Sequence, residues 1–361
     1  MNPHAASALE IPPFYCPIPA VQRADAEAID RESYTWFAGL RACDQKQLDY
    51  LAESRCGLVT AWALPEGIPE RVRIPADIMY LAEALDDTAL EKGALGRSPR
   101  ALLGTLCRLA EVIESPQIPA DVHDPWAEGI RDMRRRVGQW ATPLQVTRWM
   151  CAWRRLFLGW AWEAAFRLDG IKPSVQDYVR MRMAGSIGME ILTTLIDAAE
   201  DFELPDTELG ALPVRALTEM NWLIISFDND LYSYHHESLQ HPNGLNFIDV
   251  VAHADGCTPA DALPSVIAMR DRVMCLFLRL SRQVTARGSQ DLGRYITGLQ
   301  QYVRANIDWG ITSRRYTRPL GLDSPPHTWA RLPTAFADEP TDDRGEPLPI
   351  PAIAWWWDQL T

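Results

Sequence analysis

The chain has 361 residues, 47% of them hydrophobic, so it can bury a large core without covalent or metal cross-links. Thirty-five basic and 48 acidic side chains give a net charge of −13, which argues against an electrostatic nucleic-acid surface and suits a protein that attracts divalent cations. Its seven cysteines stand singly, without a CxxC pair, which is typical of reduced thiols in a cytoplasmic protein.

The N-terminal half of the sequence predicts a short strap followed by helices. Residues 1–22 lack the basic and apolar regions of a signal peptide, and their Pro-rich part predicts an extended segment. A loop is predicted at residues 64–69. Arg154 and Arg155 interrupt the most hydrophobic stretch, so no membrane span is expected. Apolar periodicity predicts helices over residues 24–40, 43–56, 75–92, 100–114, 126–140 and 143–168.

The C-terminal half continues the helical pattern. Thr258-Pro-Ala-Asp261 is a variant of the capping box with proline at the first helical position. Segments of period two are almost absent, so we expect an all-α fold with ten to twelve helices in one domain, residues 23–320. The Pro-rich, acidic tail, residues 321–361, is either disordered or docked, and three consecutive tryptophans favour partial docking. The remaining helices are predicted over residues 174–202, 210–240, 258–287 and 288–309.

A polar ladder occupies the stretch from Asn229 to Glu237. Asn229, Ser233 and Glu237 fall at i, i+4 and i+8, which stacks them along one helical face over about 12 Å. An amide oxygen, a hydroxyl and a carboxylate in a row form an all-oxygen ligand set for a hard cation such as Mg²⁺. The preceding run, residues 220–228, is mostly apolar, so the ladder extends a buried helix. On its own, this triplet is more typical of a solvated helix end.

A second oxygen cluster lies near residue 86. Asp86, Asp87 and Glu91 place three carboxylates within one and a half helical turns, and Asp87 and Glu91 share a face at i, i+4. Like charges this close repel unless a cation bridges them. This cluster alone is also typical of a solvated helix end. Two such clusters on separate helices of an all-α protein are stronger evidence for a metal site than either cluster alone.

Together the clusters resemble class I terpene cyclases of the bacterial type. In that family a DDxx(x)D/E motif and an NDxxSxxxE motif face each other across a helical barrel and hold three Mg²⁺ ions. Both patterns stand here in the expected order, about 140 residues apart. The segment Tyr178 to Ser186 looks like the family's helix with a diphosphate-sensing arginine, and Trp309 to Tyr316 looks like its WxxxSxRY element. The resemblance spans roughly residues 14–320.

The resemblance implies a role for each matching residue. Gly185 and Ser186 would follow the sensing arginine as linker and effector, at a helix break where a backbone carbonyl meets the nascent carbocation. Trp309 would be the cavity aromatic; Trp149, Trp153 and Tyr80 are further guesses that fit plain core positions better. The implied diphosphate ligands are Arg182, Arg315, Tyr316 and His236, and the implied metal ligands are Asp86, Asp87, Glu91, Asn229, Ser233 and Glu237. Three Mg²⁺ ions are expected, and Mn²⁺ is an expected substitute.

Three features depart from the plainest form of the family pattern, and one assignment has a rival. The acidic motif ends one residue late, at Glu91, so its second and third acids need not bind metal directly. His236 stands where lysine or arginine is common, which predicts weaker or pH-dependent diphosphate binding. Arg180 is a rival sensor, although the Tyr-x-x-x-Arg spacing favours Arg182. Residues 82–84 are small or acidic where the family often has bulky aromatics, which predicts a deeper pocket suited to a C20 substrate.

The sequence therefore predicts a Mg²⁺-dependent terpene cyclase. It would ionise a linear prenyl diphosphate, with geranylgeranyl diphosphate slightly favoured over farnesyl diphosphate, release pyrophosphate and cyclise the carbocation to a polycyclic terpene. A chain-elongating prenyltransferase is the first alternative, but it needs a second DDxxD element, which is absent. The second alternative, an inactive helical binding protein, is disfavoured by the intact metal sets. No nucleic-acid partner is expected, and a homodimer is the usual assembly of similar proteins.

Overall fold

A computed structural model describes residues 9–87, 95–118, 124–186, 188–240, 245–318, 320–321 and 323–361, with the side chains of residues 186 and 240 left aside. Within these ranges every regular element is a helix, and strand-like pairing is limited to two isolated β-bridges. The all-α prediction is confirmed. None of the helices described combines the length and the apolar character that crossing a membrane requires.

Sixteen α-helical segments lie in the described part of the chain. In chain order they are α1 (Ala26–Gly39), α2 (Gln45–Ser54), α3 (Gly57–Ala63), α4 (Pro69–Leu85), α5 (Pro99–Glu114), α6 (Pro125–Val137), α7 (Pro143–Asp169), α8 (Val175–Met181), α9 (Met189–Thr193), α10 (Ile196–Ala199), α11 (Asp206–Leu209), α12 (Leu212–Gln240), α13 (Phe247–Asp255), α14 (Pro259–Thr285), α15 (Gln290–Thr312) and α16 (Arg314–Thr317). A π-helical turn, Arg182–Ser186, follows α8.

Glycine and proline account for the main differences from the predicted helices. The helix expected over residues 174–202 is divided into α8, the π-helical turn, α9 and α10. Gly185 (φ +123°) and Gly188 (φ +76°) adopt backbone conformations that other residues rarely accept, so the regular helix stops there. The helix expected from residue 75 begins earlier, because Pro69 supplies a favourable first position and Pro75 lies inside α4. Its predicted end, residues 88–92, lies outside the described residues.

Helix α12 is the central element of the bundle, since it packs against α13, α14 and α15. Its Asp228 carboxylate is fully buried and accepts hydrogen bonds from Arg270 on α14, at 2.7 Å from Nε and 3.2 Å from Nη2. The same guanidinium donates to Asp271 and to the backbone carbonyl of Tyr15 in the N-terminal segment. One buried cation therefore joins α12, α14 and the strap.

The two ends of the chain pack on this core together. The strap and the tail are linked by parallel β-bridges between Glu10 and Arg331 and between Tyr15 and Ala337. Farther along, Asp342 pairs with Arg272 on α14. The Trp356 ring is fully buried, and its Nε1 donates to Glu219 on α12 at 3.1 Å. The described residues of the tail are thus held by α12 and α14, on the outside of the bundle.

We expect Arg270→Ala to lower the free energy of unfolding by about 3–5 kcal/mol, because it leaves the Asp228 carboxylate buried without its partner. Arg282→Ala, a solvent-exposed position on the same helix, is the matched control and should change stability by less than about 0.5 kcal/mol. Urea denaturation followed by circular dichroism measures both. Equal, small losses for the two variants would contradict this role of the buried pair.

Candidate active site

A cavity of about 430 Å³ lies between α3, α4, α7, α9, α12, α15 and α16. Its volume is within the usual range of small-molecule sites, roughly 300–1,000 Å³. The apolar lining includes Val59, Ile78, Met79, Ala82, Leu156, Trp160, Met189, Ile191, Leu192, Ile225 and Trp309. The polar lining includes Glu83, Asp86, Arg97, Glu163, Arg167, Arg182, Asn229, Ser233, His236, Glu237, Asn306, Arg315 and Tyr316.

The polar lining gathers toward the C-terminal ends of three helices. On α4 the lining passes from Ile78 to Asp86, and on α12 from Ile225 to Glu237. On α7 it passes from Leu156 and Trp160 to Glu163 and then to Arg167. Each helix thus contributes apolar side chains first and polar or charged ones from about one turn later onward. The cavity therefore has an apolar part and a charged part. We call the charged part, around Asp86, Glu163, Arg167 and Glu237, the polar end.

All three residues of the α12 ladder line the cavity. The Ser233 hydroxyl donates to Glu237 Oε1 at 2.6 Å, and Asn246 Nδ2 donates to Glu237 Oε2 at 3.0 Å. Asn229 Oδ1 accepts a hydrogen bond from Arg182 Nη2 at 3.3 Å. Hydrogen bonds therefore fix the direction of the ladder's oxygen atoms before any ligand binds.

The two aspartates of the acidic motif have different environments. Asp86 lines the cavity, whereas Asp87 is 1% exposed and does not. Both carboxylate oxygens of Asp87 accept from Arg315, with Oδ1 lying 3.1 Å from Nη2. Glu83, one turn before Asp87, also pairs with Arg315 at 2.8 Å. Of the pair, Asp86 is therefore the candidate metal ligand that lines the cavity, and Glu91 lies outside the described residues.

Arg182, and not Arg180, reaches the cavity. Arg182 is 7% exposed, and its Nη2 donates to Asp230 Oδ1 at 3.2 Å. The other oxygen of Asp230, Oδ2, accepts from the Tyr178 hydroxyl at 2.7 Å. Burial raises the pKa of Asp230 to about 6, against the lowering effects of Arg182 and Tyr178. Arg180 is exposed and lines a separate outer cleft.

Tyr316 is the centre of an aromatic group at the polar end. Its ring lies 4.6 Å from the ring of Tyr232 and 5.3 Å from that of Trp309, measured between centroids. The His236 ring lies 6.5 Å from the Tyr316 ring, again between centroids. Burial raises the pKa of Tyr316 well above its ordinary value, so its hydroxyl stays protonated and can donate to an anion. Trp309 is fixed by a 2.7 Å hydrogen bond from Nε1 to the Ser54 carbonyl.

The segment from Arg182 to Met189 contains the predicted helix break. Arg182, Gly188 and Met189 line the cavity, whereas Gly185 packs against the backbone of α7. A Cβ atom at Gly185 would lie 2.7 Å from the Leu156 nitrogen, so only glycine fits there. The side chain of Ser186 lies outside the described residues. The linker and effector roles of residues 185 and 186 remain predictions.

Three of the suggested cavity aromatics lie in the core instead. The rings of Trp149 and Trp153 are fully buried and do not line the cavity, and the Tyr80 hydroxyl donates to Asp30 at 2.8 Å. Trp160 and Tyr232 line the cavity, although the sequence did not single them out. On α7 the tryptophans are spaced so that helical phase cannot separate the core-facing from the cavity-facing ones.

Five polar lining residues were also missed. Glu83 shares a helical face with Asp87, a spacing that could have revealed it. Glu163 and Arg167 form an i, i+4 ion pair, a pattern equally typical of solvated helices. Arg97 and Asn306 carried no signal in the sequence. Asn306 Oδ1 accepts from the Tyr232 hydroxyl at 2.8 Å.

The donor set of the polar end fits Mg²⁺. Ser233 and Glu237 present oxygens 2.6 Å apart on one helical face, Asn229 lies one turn before Ser233, and Asp86 directly follows α4. Hard cations prefer such oxygen ligands. Among the described residues no group of three His, Cys, Asp or Glu side chains is placed to hold a metal ion. Two of the three α12 donors are an amide and a hydroxyl instead.

The same end also fits an anion. Arg182 and Arg315 are at least 93% buried, yet their Nε atoms have no hydrogen-bond partner among the described residues. Those two Nε atoms are enclosed by protein, but both guanidinium groups line the cavity, so their cationic charge favours an anionic ligand there. Two guanidinium groups are well suited to phosphate oxygens, which they can bind in a bidentate manner.

Comparison with known proteins places the chain in a family. The family model "Terpene synthase family 2, C-terminal metal binding" matches residues 77–274. Bonnadiene synthase from Allokutzneria albata is 36% identical, with 99% of this chain and 100% of that enzyme covered. The (+)-T-muurolol synthase of Streptomyces clavuligerus, which cyclises farnesyl diphosphate, is 30% identical, with 95% and 81% covered. The SVS_A2 crystal structure, from ancestral sequence reconstruction, has a TM-score of 0.86 and 26% identity, with 97% and 99% covered.

Fold and relatives together define the class of the protein, which is a bacterial class I terpene synthase. The chain belongs to terpene synthase family 2, since the metal-binding family model covers more than half of it and relatives above 30% identity align along nearly its whole length. Enzymes of this class are lyases that cyclise prenyl diphosphates.

The positions of the two candidate arginines predict different effects of substitution. Arg182→Lys keeps a cation beside Asp230 but loses the planar fork of donors, so we expect turnover of a prenyl diphosphate to fall about 10- to 100-fold. Arg180→Lys is the matched control and should keep the activity of the unmodified enzyme. Steady-state kcat/KM for pyrophosphate release measures both. A larger loss from the Arg180 variant would exclude Arg182 as the sensor.

Proposed function

We propose that this enzyme is a Mg²⁺-dependent terpene cyclase that ionises a linear prenyl diphosphate and folds the resulting carbocation into a polycyclic terpene. The observation that carries the proposal is the division of one cavity into an apolar part and a polar end. A prenyl diphosphate has the same division, with a hydrocarbon chain at one end and a diphosphate at the other.

The polar end supplies both kinds of ligand that the leaving group needs. Asp86, Asn229, Ser233 and Glu237 would hold the metal, with three Mg²⁺ ions as in the family and Mn²⁺ as a substitute. Bound Mg²⁺ would act as a Lewis acid and neutralise the negative charge of the departing diphosphate. The family pattern also includes Asp87 and Glu91, but the pairing of Asp87 with Arg315 favours a positioning role for that carboxylate.

The protein's own donors would orient the diphosphate. Arg182 and Arg315 line the cavity as guanidinium cations, and Tyr316 offers a protonated hydroxyl. His236 is buried at the same end and lines the cavity, where it would give a further contact. Because these groups are fixed by Asp230, Asp87 and their neighbours, they need little reorganisation when charge develops on the leaving group.

The apolar part would protect and shape the carbocation. Aliphatic side chains on α4, α9 and α12 exclude water, which would otherwise capture the cation early. Trp160, Trp309 and Tyr232 present aromatic groups to the cavity, and aromatic faces stabilise positive charge without reacting with it. The Trp309 ring is held by Ser54 and lies beside Tyr316, near the polar end where the cation forms.

The substrate that we favour is geranylgeranyl diphosphate. Ala82 lines the cavity one helical turn before Asp86, so a methyl group stands where a bulky side chain would shorten the space below the diphosphate. Farnesyl diphosphate is the other candidate. The two substrates differ only in the length of the hydrocarbon chain, so the diphosphate would be bound in the same way in either case.

Incubation with C10, C15 and C20 prenyl diphosphates, followed by gas chromatography–mass spectrometry, tests the proposal. We expect a cyclic terpene from the C20 substrate with Mg²⁺ and none after chelation with EDTA, with Mn²⁺ restoring part of the turnover. Asp86→Asn and Asn229→Ala should raise the Mg²⁺ concentration needed for half-maximal rate by about 10-fold or more.

Three outcomes of this experiment would count against the proposal. Longer diphosphates would indicate chain elongation, and no turnover of any substrate would indicate a binding protein. Conversion of the C15 but not the C20 substrate would contradict the chain-length preference and leave cyclisation intact. Undiminished Mg²⁺-dependent turnover by Asn229→Ala would remove the α12 ladder from the metal site.

A further inference from the structure

The interrupted segment between α8 and α9 is fixed from outside by one side chain of α7. Arg155 Nη2 donates to the backbone carbonyl of Met183 at 3.0 Å, and Arg155 Nη1 donates to Glu190 Oε1 at 3.0 Å. Met183 lies before the break and Glu190 lies after it, in the first turn of α9. A single guanidinium therefore connects the two sides of a segment that lacks continuous helical hydrogen bonding.

The break has a specific need for this contact. Gly185 at φ +123° and Gly188 at φ +76° interrupt the regular helix, and carbonyl groups near a helix end need partners from outside the helix. The Met183 carbonyl obtains its partner from Arg155. An apolar side chain at position 155 could fill space but could not supply this hydrogen bond.

Arg155 is itself held in place by neighbouring groups. Its guanidinium lies 5.3 Å from the ring centroid of Trp222 on α12, and Trp222 Nε1 donates to Thr193 Oγ1 on α9 at 3.0 Å. Burial raises the pKa of Glu190, and the nearby Arg155 charge opposes that shift. The contacts of Arg155 thus reach α9, α12 and the π-helical turn at once.

The adjacent residue links this outer contact to the cavity. Leu156 lines the cavity, and the α7 backbone at residues 155–156 lies directly under Gly185. Arg182 precedes Met183, and Gly188 and Met189 line the cavity on the far side of the break. A displacement at Met183 or Glu190 would therefore move the sensing arginine and the cavity-facing backbone together.

We propose that Arg155 is a positioning residue that sets the geometry of the Arg182–Met189 segment against the substrate, from outside the cavity. The inference rests on the proposed cyclase function. It concerns the placement of groups that act on the carbocation after substrate has bound. Loss of the Arg155 side chain should lower kcat more than it changes KM, because small misplacements of reacting groups cost about 100-fold in rate. The variant enzyme should also release products that are quenched before ring formation is complete.

Arg155→Met tests this role, and Arg154→Met is the matched control. Arg154 is the preceding residue, is 51% exposed in its side chain and pairs with Glu114 away from the break. We expect Arg155→Met to lower kcat for the C20 or C15 diphosphate at least about 10-fold with KM changed less than about threefold. The fraction of acyclic and partly cyclised products should rise. Arg155→Lys, which can still donate to Met183, should recover part of the rate.

Hydrogen–deuterium exchange provides a readout that does not depend on activity. Amides of residues 183–190 should exchange faster in Arg155→Met than in Arg154→Met, while the α14 amides stay unchanged. If the unmodified enzyme turns over no prenyl diphosphate, the proposed function fails, and this exchange result still decides whether Arg155 fixes the segment. The inference is overturned if Arg155→Met and Arg154→Met show the same kcat, product distribution and exchange.

Discussion

Paired burial of charge along helix α12 is the constraint on which the structure depends. Asp228 and Asp230 are almost fully buried, and a lone carboxylate in such a place would be strongly destabilising. Arg270 from α14 neutralises the first, and Arg182 from the π-helical turn neutralises the second. Arg182 precedes α12 in the chain and Arg270 follows it. The two ion pairs therefore also fix α12 between the π-helical turn and α14.

The charges near the cavity serve a second purpose. Arg182 holds Asp230 and Asn229, and Arg315 holds Asp87 and Glu83, while both guanidinium groups also line the cavity. An anionic substrate would need such cations, and they are preorganised because carboxylates already fix the guanidinium planes. The ion pairs that hold the helices together would then also place the groups proposed to bind the substrate.

Local spacing predicted the parts of the site that depend on one helix. The i, i+4, i+8 pattern of Asn229, Ser233 and Glu237 placed three oxygens on one face, and the structure keeps all three on the cavity. Tyr178 and Arg182 are four residues apart and meet the same carboxylate, Asp230. The all-α class followed from the absence of period-two segments. These features need only the geometry of a helix.

Features that join distant segments could not be predicted in this way. The pairing of Asp87 with Arg315 spans 228 residues and is decided by tertiary packing and not by local spacing. It also changes the expected role of Asp87, since its two oxygens are occupied by a guanidinium. Aromatic residues on α7 were ambiguous for a similar reason, because Trp149 and Trp160 differ in their packing partners and not in their pattern. Contacts of the tail with α12 and α14 likewise depend on tertiary structure.

The central claim is that the polar end binds metal and diphosphate together, between α4 and α12. Anomalous diffraction from crystals grown with Mn²⁺ and pyrophosphate tests it most directly. The account predicts anomalous peaks within about 2.0–2.6 Å of oxygens of Asp86, Asn229, Ser233 and Glu237, the range for hard cations, with phosphate oxygens in contact with Arg182 and Arg315. Peaks confined to surface carboxylates, with the cavity free of pyrophosphate, would contradict it.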